Sequence, residues 1–376
     1  MPYNFLFNCF VLLHILPNQA ECASRDVLRE LHKTLMAGYE PSLRPVNDTS
    51  KPVIVGYRFT PTISVLNEIE QHLQLRGMVA LTWCDPQLTW QPENYEGINK
   101  TKLPLSSGSG EGLLWQPELV LNESIAPGPR SFQPETTSIT LEYTGQVYWY
   151  TLANFESFCR ISVRYYPFDE QICYLTFTTW LYQTGEQQFE KITDLIDQNA
   201  YKKYALKHGL WSLDIELVEV GANSYDCASC EGEEQSYIHY VLKLKRGQRS
   251  LHFMALILPC LVMSAMTTLA LCLPRTPDPK AAAFSLSCIL TLFVFLSFLF
   301  NKLPSTGQPV IGGYVVWLLV EGVVISSYVA ISSRFAAKDQ ENPEWMRTVK
   351  WFLLGVKICS TFVYMTIFIV LIMIVR

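Results

Sequence analysis

The sequence predicts a β-sandwich extracellular domain with a short N-terminal helix, followed by a four-helix transmembrane domain. Three observations predict it. The last third of the chain holds four long runs almost free of charge, 253–274, 281–301, 303–333 (interrupted only by Glu321) and 358–375. A bilayer core needs about 20 apolar residues of helix, so each run reads as a membrane span. The middle of the chain instead alternates with period two between clusters of Pro, Gly, Asn and Ser, the pattern of many short strands. The first 20 residues combine a short apolar stretch, Phe5–Leu16, with small and polar residues ending at Ala20. That is the layout of a signal peptide. The expected domains are therefore a signal peptide over 1–20, an extracellular β-sandwich over 21–250 and a transmembrane domain over 251–376. Spans are expected near 251–273, 281–301, 309–332 and 351–375, with a short intracellular loop at 334–350.

The composition agrees. Charged residues are 17% of the 376, against about a quarter in soluble domains, and apolar residues are 49%. A net charge of −5 and the lack of any clustered Lys/Arg patch argue against nucleic acid as a partner. No paired catalytic acids, nucleophile elbow, Gly-rich phosphate loop or His cluster occurs, so an enzyme is not expected. No cofactor and no metal site is expected either.

Taken in order, Ser24 caps a helix reaching Met36, with Val27, Leu28, Leu31 and Leu35 as its apolar stripe. "ITLEYTGQVYWYTL" reads as two strands joined at Thr144-Gly145, and "QICYLTFTTWLY", "WSLDIELVEV" and "SYIHYVLKLK" as further strands. Pro104–Gly112, "PLSSGSGEG", reads as a flexible loop. Asn47, Asn99 and Asn122 each open a glycosylation sequon, and all three precede the first span. Residues 21–250 thus lie where disulfides persist. Of the eleven cysteines, Cys9 falls in the signal and Cys22 near its cleavage site. Cys260, Cys272, Cys288 and Cys359 fall in spans as small apolar fillers. Cys159 pairs with Cys173 and Cys227 with Cys230, leaving Cys84 unpaired or matched to Cys22. The first pair closes a ring of 13 intervening residues around Tyr166-Pro167-Phe168-Asp169. Closing such a loop is worth roughly 3 kcal/mol in the chain-entropy model.

These features occur in a telling order. "LRELHKTLMAGYEPSLRPV" precedes "LTWCDPQLTWQPENYEGI", in which Trp83, Asp85, Leu88 and Trp90 are spaced as W-x-D-x-x-L-x-W. "LWQPELVL" follows, a W-x-P-D motif with Glu118 as its acid, then the cysteine ring, and Trp180 seven residues after Cys173. "LILPCLVMSA" opens the first span. Over nearly the whole mature chain this resembles the Cys-loop pentameric ligand-gated ion channels, in their nicotinic branch. The resemblance implies four further identical or related subunits, membrane lipid around them, a small-molecule agonist between neighbouring ectodomains, and a plasma-membrane location. It implies that the ring presses on the membrane domain: Tyr166, Pro167 and Phe168 against the linker near Leu303–Gln308, with Asp169 paired to Arg246 or Arg249.

The same resemblance places the ligand. Trp180, Tyr225 and Tyr237 match positions of an aromatic cage for a cationic amine, which binds through cation–π attraction. "SYDCASCEGEEQSY" resembles the loop that caps it, with two residues between its cysteines rather than none. Asn122 stands where nicotinic receptors carry a tyrosine, and Met78 where the complementary face carries a tryptophan. Tyr148 and Tyr150 fall on that complementary face. The agonist implied is an amine or other amphipathic compound.

In "KAAAFSLSCILTLFVFLSFLFNKLP" small residues crowd the start and bulky apolar ones the middle. Ala283, Ser287, Leu290, Val294 and Asn301 share one helical face and are the expected pore lining. Leu290 is the gate position; counted forward from Lys280, Ile289 takes that place. A ring of five leucines blocks ions by dewetting. Selectivity is expected at Asp278 and Lys280, where Pro277-Asp278-Pro279-Lys280 matches neither the cation nor the anion pattern of the family. The nicotinic look of the rest favours cations. The alternative is a non-conducting or accessory ligand-sensing receptor of the same fold. No family role attaches to Glu321.

Overall fold

The computed structural model describes residues 24–106, 112–126, 132, 134, 138–192, 211–224, 234–247, 253–273, 280–303, 307–338 and 344–374. The expected signal peptide, Cys9, Cys22, Tyr225, Cys227, Cys230, Arg249, Asp278 and residues 107–111 of the glycine-rich loop lie outside them.

The chain opens with α1, Arg25–Met36, whose N-cap Ser24 accepts a hydrogen bond from the Asp26 N–H. This satisfies one of the orphan donors of the first turn. Leu31 and Leu35, half of the predicted stripe, are buried. Ten strands follow: β1 Val53–Asn67, β2 His72–Cys84, β3 Lys100–Pro104, β4 Val120–Leu121, β5 Ser138–Glu142, β6 Gln146–Phe158, β7 Glu170–Thr178, β8 Gln187–Lys191, β9 Trp211–Ser224 and β10 Glu234–Arg246. They form a six-stranded sheet, β3-β5-β6-β2-β1-β8, packed on a four-stranded one, β4-β7-β10-β9. The predicted hairpin turns at Gly145, which holds φ +84°, a value that favours glycine.

Between the sheets lies an aromatic core. Tyr57, Phe59, Phe155, Phe177 and Tyr240 are all buried, and Phe155 meets Phe177 edge-on at 5.1 Å between centroids. Such contacts prefer tilted or edge geometry over a flat sandwich. The Cys159–Cys173 disulfide ties the residue after β6 to β7 and so staples one sheet to the other. Cys84 has no disulfide among the described residues.

The membrane part begins with a wide turn, Phe253–Ile257, running into α2, Leu258–Cys272. Then come α3 Lys280–Lys302, α4 Val310–Ala337 and α5 Glu344–Ile374. All four are long and apolar enough to cross a membrane. The third and fourth helices outrun their apolar stretches: α4 continues to Ala337, and α5 starts at Glu344 rather than near 351. The expected loop 334–350 is therefore mostly helix ends. Hydropathy marks where the apolar layer stops, whereas a helix continues wherever its backbone bonds do.

Glu321 has a partner that the sequence did not reveal. On α4 its Oε2 accepts from Lys357 Nζ of α5 at 2.6 Å, and its Oε1 from Ser360 Oγ and Trp317 Nε1, each at 2.6 Å. Lys357 lies one residue before the last charge-free run and is 2% exposed. α5 is the least buried of the four helices, so this ion pair is its main polar attachment to α4 among the described residues. Removing one partner leaves an uncompensated buried charge, a loss of about 3–5 kcal/mol, while replacing both with apolar side chains is often near neutral. We expect Glu321→Gln and Lys357→Met each to cut surface expression sharply and to lower the thermal stability of the detergent-solubilised protein. The double substitution Glu321→Met/Lys357→Met should recover most of both, measured by surface biotinylation and fluorescence-detected melting.

Candidate functional site

Strand alternation decides which side chains reach the outside of the sandwich. On the four-stranded sheet Phe177 of β7 and Ile238 and Tyr240 of β10 point inward and are buried. Tyr237, opposite Thr178, therefore lies on the outer face. Its ring covers Gly221 of β9, where an added Cβ would come 3.0 Å from Tyr237 Oη. A hydrogen bond to Glu219 is the main cause raising the Tyr237 phenol above its ordinary pKa.

Trp180 follows β7 on a loop and is 61% exposed. Its position is fixed from below. The Glu118 carboxylate Oε2 accepts the backbone N–H groups of Trp180, Leu181 and Tyr182 at 3.1, 2.9 and 3.2 Å. Successive N–H groups converging on one oxygen form an anion nest. Glu118 is itself clamped, since its N–H donates to Gln187 Oε1 and its carbonyl accepts from Gln187 Nε2. The Trp180 carbonyl accepts from Gln235 Nε2 at 2.8 Å. The sequence singled out Glu118 only as the acid of a motif. An acid placed directly after Trp-x-Pro was the available signal for a loop anchor.

A second group stands on the outer face of the six-stranded sheet. Tyr148 and Tyr150 of β6 stack with centroids 6.4 Å apart and planes 8° from parallel. Burial is the main cause raising both phenols. Met78 of β2, opposite Leu152 of β6, shares that face. The predicted ligand residues thus form two groups, Trp180 and Tyr237 on one sheet and Met78, Tyr148 and Tyr150 on the other. One chain does not bring them into a single pocket. Asn122 is exposed and lies beside β7, its N–H donating to the Thr176 carbonyl. Asn47 and Asn99 are exposed as well.

At the membrane end, Arg246 closes β10. Its Nε donates to Asp169 Oδ1 at 2.8 Å and its Nη2 to Asp169 Oδ2 at 3.0 Å. Nη1 and Nη2 donate to the two oxygens of Glu68, each at 2.8 Å. The guanidinium lies over Trp211 at 4.2 Å and Tyr166 at 4.8 Å. Burial opposes its charge, yet the carboxylates of Glu68 and Asp169 more than offset this and raise its pKa. Of the two bases predicted for Asp169, Arg246 is the one within the described residues, and Glu68 was not foreseen. Gln171 links the two limbs of the ring through both ends of its amide to Ser162. Pro167 and Phe168 are buried, and Phe168 belongs to the same apolar cluster as Val163, Leu303 and Ile311. Among the described residues a direct link to the membrane helices runs through Arg164, whose carbonyl accepts from the Val310 N–H at 3.1 Å. Tyr166 lies against Arg246, and Arg164 and Val163, which reach α4 and Gly307, were not named from the sequence.

On α3 one face packs inward through Ser285, Cys288, Leu292 and Leu299. Ala283, Ser287, Leu290, Val294 and Asn301 are all exposed, Leu290 at 64%. Ile289 instead faces α4, since a Cβ at Gly322 would meet its Cγ1 at 3.1 Å. Of the two gate registers, Leu290 is the exposed one. Lys280, the first residue of α3, is exposed too.

Fold and site together define a class: a membrane receptor whose extracellular β-sandwich carries aromatic side chains on both outer faces and bears on a four-helix domain through a cysteine ring. Residues 28–248 match the neurotransmitter-gated ion-channel ligand binding domain. The chain is 28% identical over 337 residues to the neuronal acetylcholine receptor subunit alpha-6 of Rattus norvegicus, covering 87% of this chain and 64% of that one. It is 30% identical to the acetylcholine receptor subunit alpha of Danio rerio, covering 91% and 73% of the two chains. To the acetylcholine receptor subunit alpha-1-B of Xenopus laevis it is 29% identical, covering 92% and 73%. The chain belongs to the Cys-loop neurotransmitter-gated ion-channel family. It is a multi-pass plasma-membrane protein with an extracellular N-terminal domain.

Two outcomes follow from this geometry. Arg246→Ala strands Asp169 and Glu68 and should cost about 3–5 kcal/mol; Arg246→Lys should rescue little, because an ammonium cannot serve two carboxylates bidentately. Surface expression and melting temperature report both. Glu118→Ala removes three charge-assisted bonds and should weaken apparent agonist affinity at least about tenfold, with surface expression retained; an unchanged concentration–response curve would remove Glu118 from the site.

Proposed function

We propose that this chain is a subunit of a pentameric channel gated by an extracellular ligand and selective for cations. The observation that carries the reading is the outer stripe of α3. Ala283, Ser287, Leu290, Val294 and Asn301 face away from the chain's own helices, and small or polar positions recur along an otherwise apolar span. Five such helices around an axis give a wettable ring at Ser287 and a dewetting ring at Leu290. The split of the aromatic side chains between two sheets supports the same assembly. Trp180, Tyr237 and Tyr225 form one half of an agonist site, and Met78, Tyr148 and Tyr150 of a neighbour the other.

The relatives' names carry acetylcholine, which makes a cationic amine the first ligand class to try. Asn122 and Met78 replace two aromatic positions of the nicotinic cage, and a good cation–π interaction at each would be worth ~0.5–2 kcal/mol. A different amine or amphipathic compound therefore fits better than acetylcholine. The ligand's pull on Trp180 reaches β7 and β10, and these carry it to Asp169 and Arg246 at the membrane. Coupling between two such sites is allosteric in the thermodynamic sense. The thinned cage supports one second reading, an accessory subunit that senses ligand without conducting by itself.

Currents decide between them. Oocytes expressing the Leu290→Thr chain should leak without ligand, because a polar ring no longer dewets. Under a sodium chloride gradient the reversal potential should follow sodium, and Asp278→Ala should weaken that preference. A reversal potential that follows chloride overturns cation selectivity. Absence of current from chains that reach the surface as pentamers supports the accessory reading.

A further inference from the structure

Asn122 opens a glycosylation sequon with Glu123 and Ser124 and stands on the sheet that carries Tyr237. These two facts belong together. β4 pairs with β7 through Val120 opposite Thr178 and Leu121 opposite Phe177, and the Asn122 N–H continues the ladder to the Thr176 carbonyl. Residues directly opposite in an antiparallel pair share a face. Thr176 is in turn opposite His239 of β10, and Thr178 opposite Tyr237. Two adjacent rows thus cross the outer face of the sheet. One runs Asn122, Thr176, His239; the next runs Val120, Thr178, Tyr237.

The face is fixed by burial. Leu121, Phe177 and Ile238 point into the core at 2%, 0% and 0% exposure, so Asn122, Thr176, Tyr237 and His239 point outward, while Thr178 lies covered between them at 2%. Asn122 is exposed. The turn beyond it is held in place, because both oxygens of Glu123 are bonded to Thr176, to its N–H at 2.8 Å and to its hydroxyl at 2.7 Å. Rows are ~6.8 Å apart along a strand and strands ~4.8 Å apart, which puts Asn122 on the order of 12 Å from Tyr237 across the same surface. The Trp180 loop continues from β7 two residues past Thr178, at the end of that same strip.

We propose that Asn122 carries an N-linked glycan that lies over the Trp180/Tyr237 face and controls access to it. A glycan is bulky and hydrophilic. A tyrosine at this position would line the site, whereas a sugar-bearing asparagine screens it. The screened half-site admits a small amine from the side of the neighbouring subunit and excludes large ligands approaching from solvent. The ligand consequence rests on the agonist-face reading above; the glycan and its screening do not.

The test uses the full chain at the surface of mammalian cells. Ser124→Ala removes the sequon and keeps the asparagine; Asn122→Gln removes it independently. Relative to either variant, the unsubstituted chain should carry one extra peptide-N-glycosidase-sensitive step in gel mobility. In a second arm Trp180→Cys is introduced with and without Ser124→Ala. A bulky membrane-impermeant maleimide is applied, with the signal of the parent cysteines subtracted. Labelling at position 180 should be at least fivefold faster without the sequon, and brief enzymatic deglycosylation of the sequon-bearing chain at the cell surface should reproduce the gain. Equal mobility of the three chains overturns the modification. A mobility difference with equal labelling rates overturns the screening. Neither readout needs an agonist or a current, so failure of the channel reading would leave both outcomes interpretable.

Discussion

The structure depends on one buried cation. Arg246 sits where the last extracellular strand becomes the first membrane helix, and three segments converge on it: the cysteine ring through Asp169 and Tyr166, the β1–β2 turn through Glu68, and β9 through Trp211. A guanidinium that is 3% exposed is stable only if its donors are nearly all met. Here two carboxylates meet them bidentately, and two aromatic faces cover the rest. The arrangement over-determines the position of each contributor. None of the three segments can shift without disturbing the charge balance of the others.

That constraint gives meaning to the disulfide beside it. Cys159 and Cys173 tie the end of β6 to β7, and Gln171 zips the ring shut by bonding Ser162 twice. A stiff ring conveys displacement; a floppy one absorbs it. Its lower surface is apolar, through Val163 and Phe168, and shares a cluster with Leu303 and Ile311 of the membrane domain. The ectodomain and the helices therefore share one continuous apolar cluster.

Away from the junction, aromatic side chains stand on both outer sheet faces, and the second membrane helix leaves the stripe through Leu290 uncovered. The fourth helix is the reverse case. It is exposed over most of its surface and is held by Lys357 on Glu321, a polar fastening inside an otherwise apolar layer. Charges there are rare because hydrocarbon offers them no hydration. Their pairing across two helices explains an acid that looked isolated in its own span.

The sequence by itself determined the periodicities, and with them the sandwich, the four spans and the capped helix. These are local properties, set by the spacing of apolar residues against 2 or 3.6 residues per repeat. Cys159 and Cys173 were also readable, as were the motifs from Trp83 to Trp180 that carry the family resemblance. β1 and β2 were not delimited, because Gly56, Pro61 and a register shift after Pro61 blur the alternation that marks a strand. Only the tertiary structure decided who meets whom. Glu68 and Arg246 are 178 positions apart, Lys357 and Glu321 36, Glu118 and Trp180 62. No short-range pattern encodes such pairs, since a charged side chain reads the same whether its partner is water or a residue brought beside it by the fold. Which face of α3 packs on α4 was of the same kind. One residue of helix is a rotation of about 100°, and the burial of Ser285 and Cys288, the Ser285–Ser326 hydrogen bond and the approach of Ile289 to Gly322 fix which way it turns.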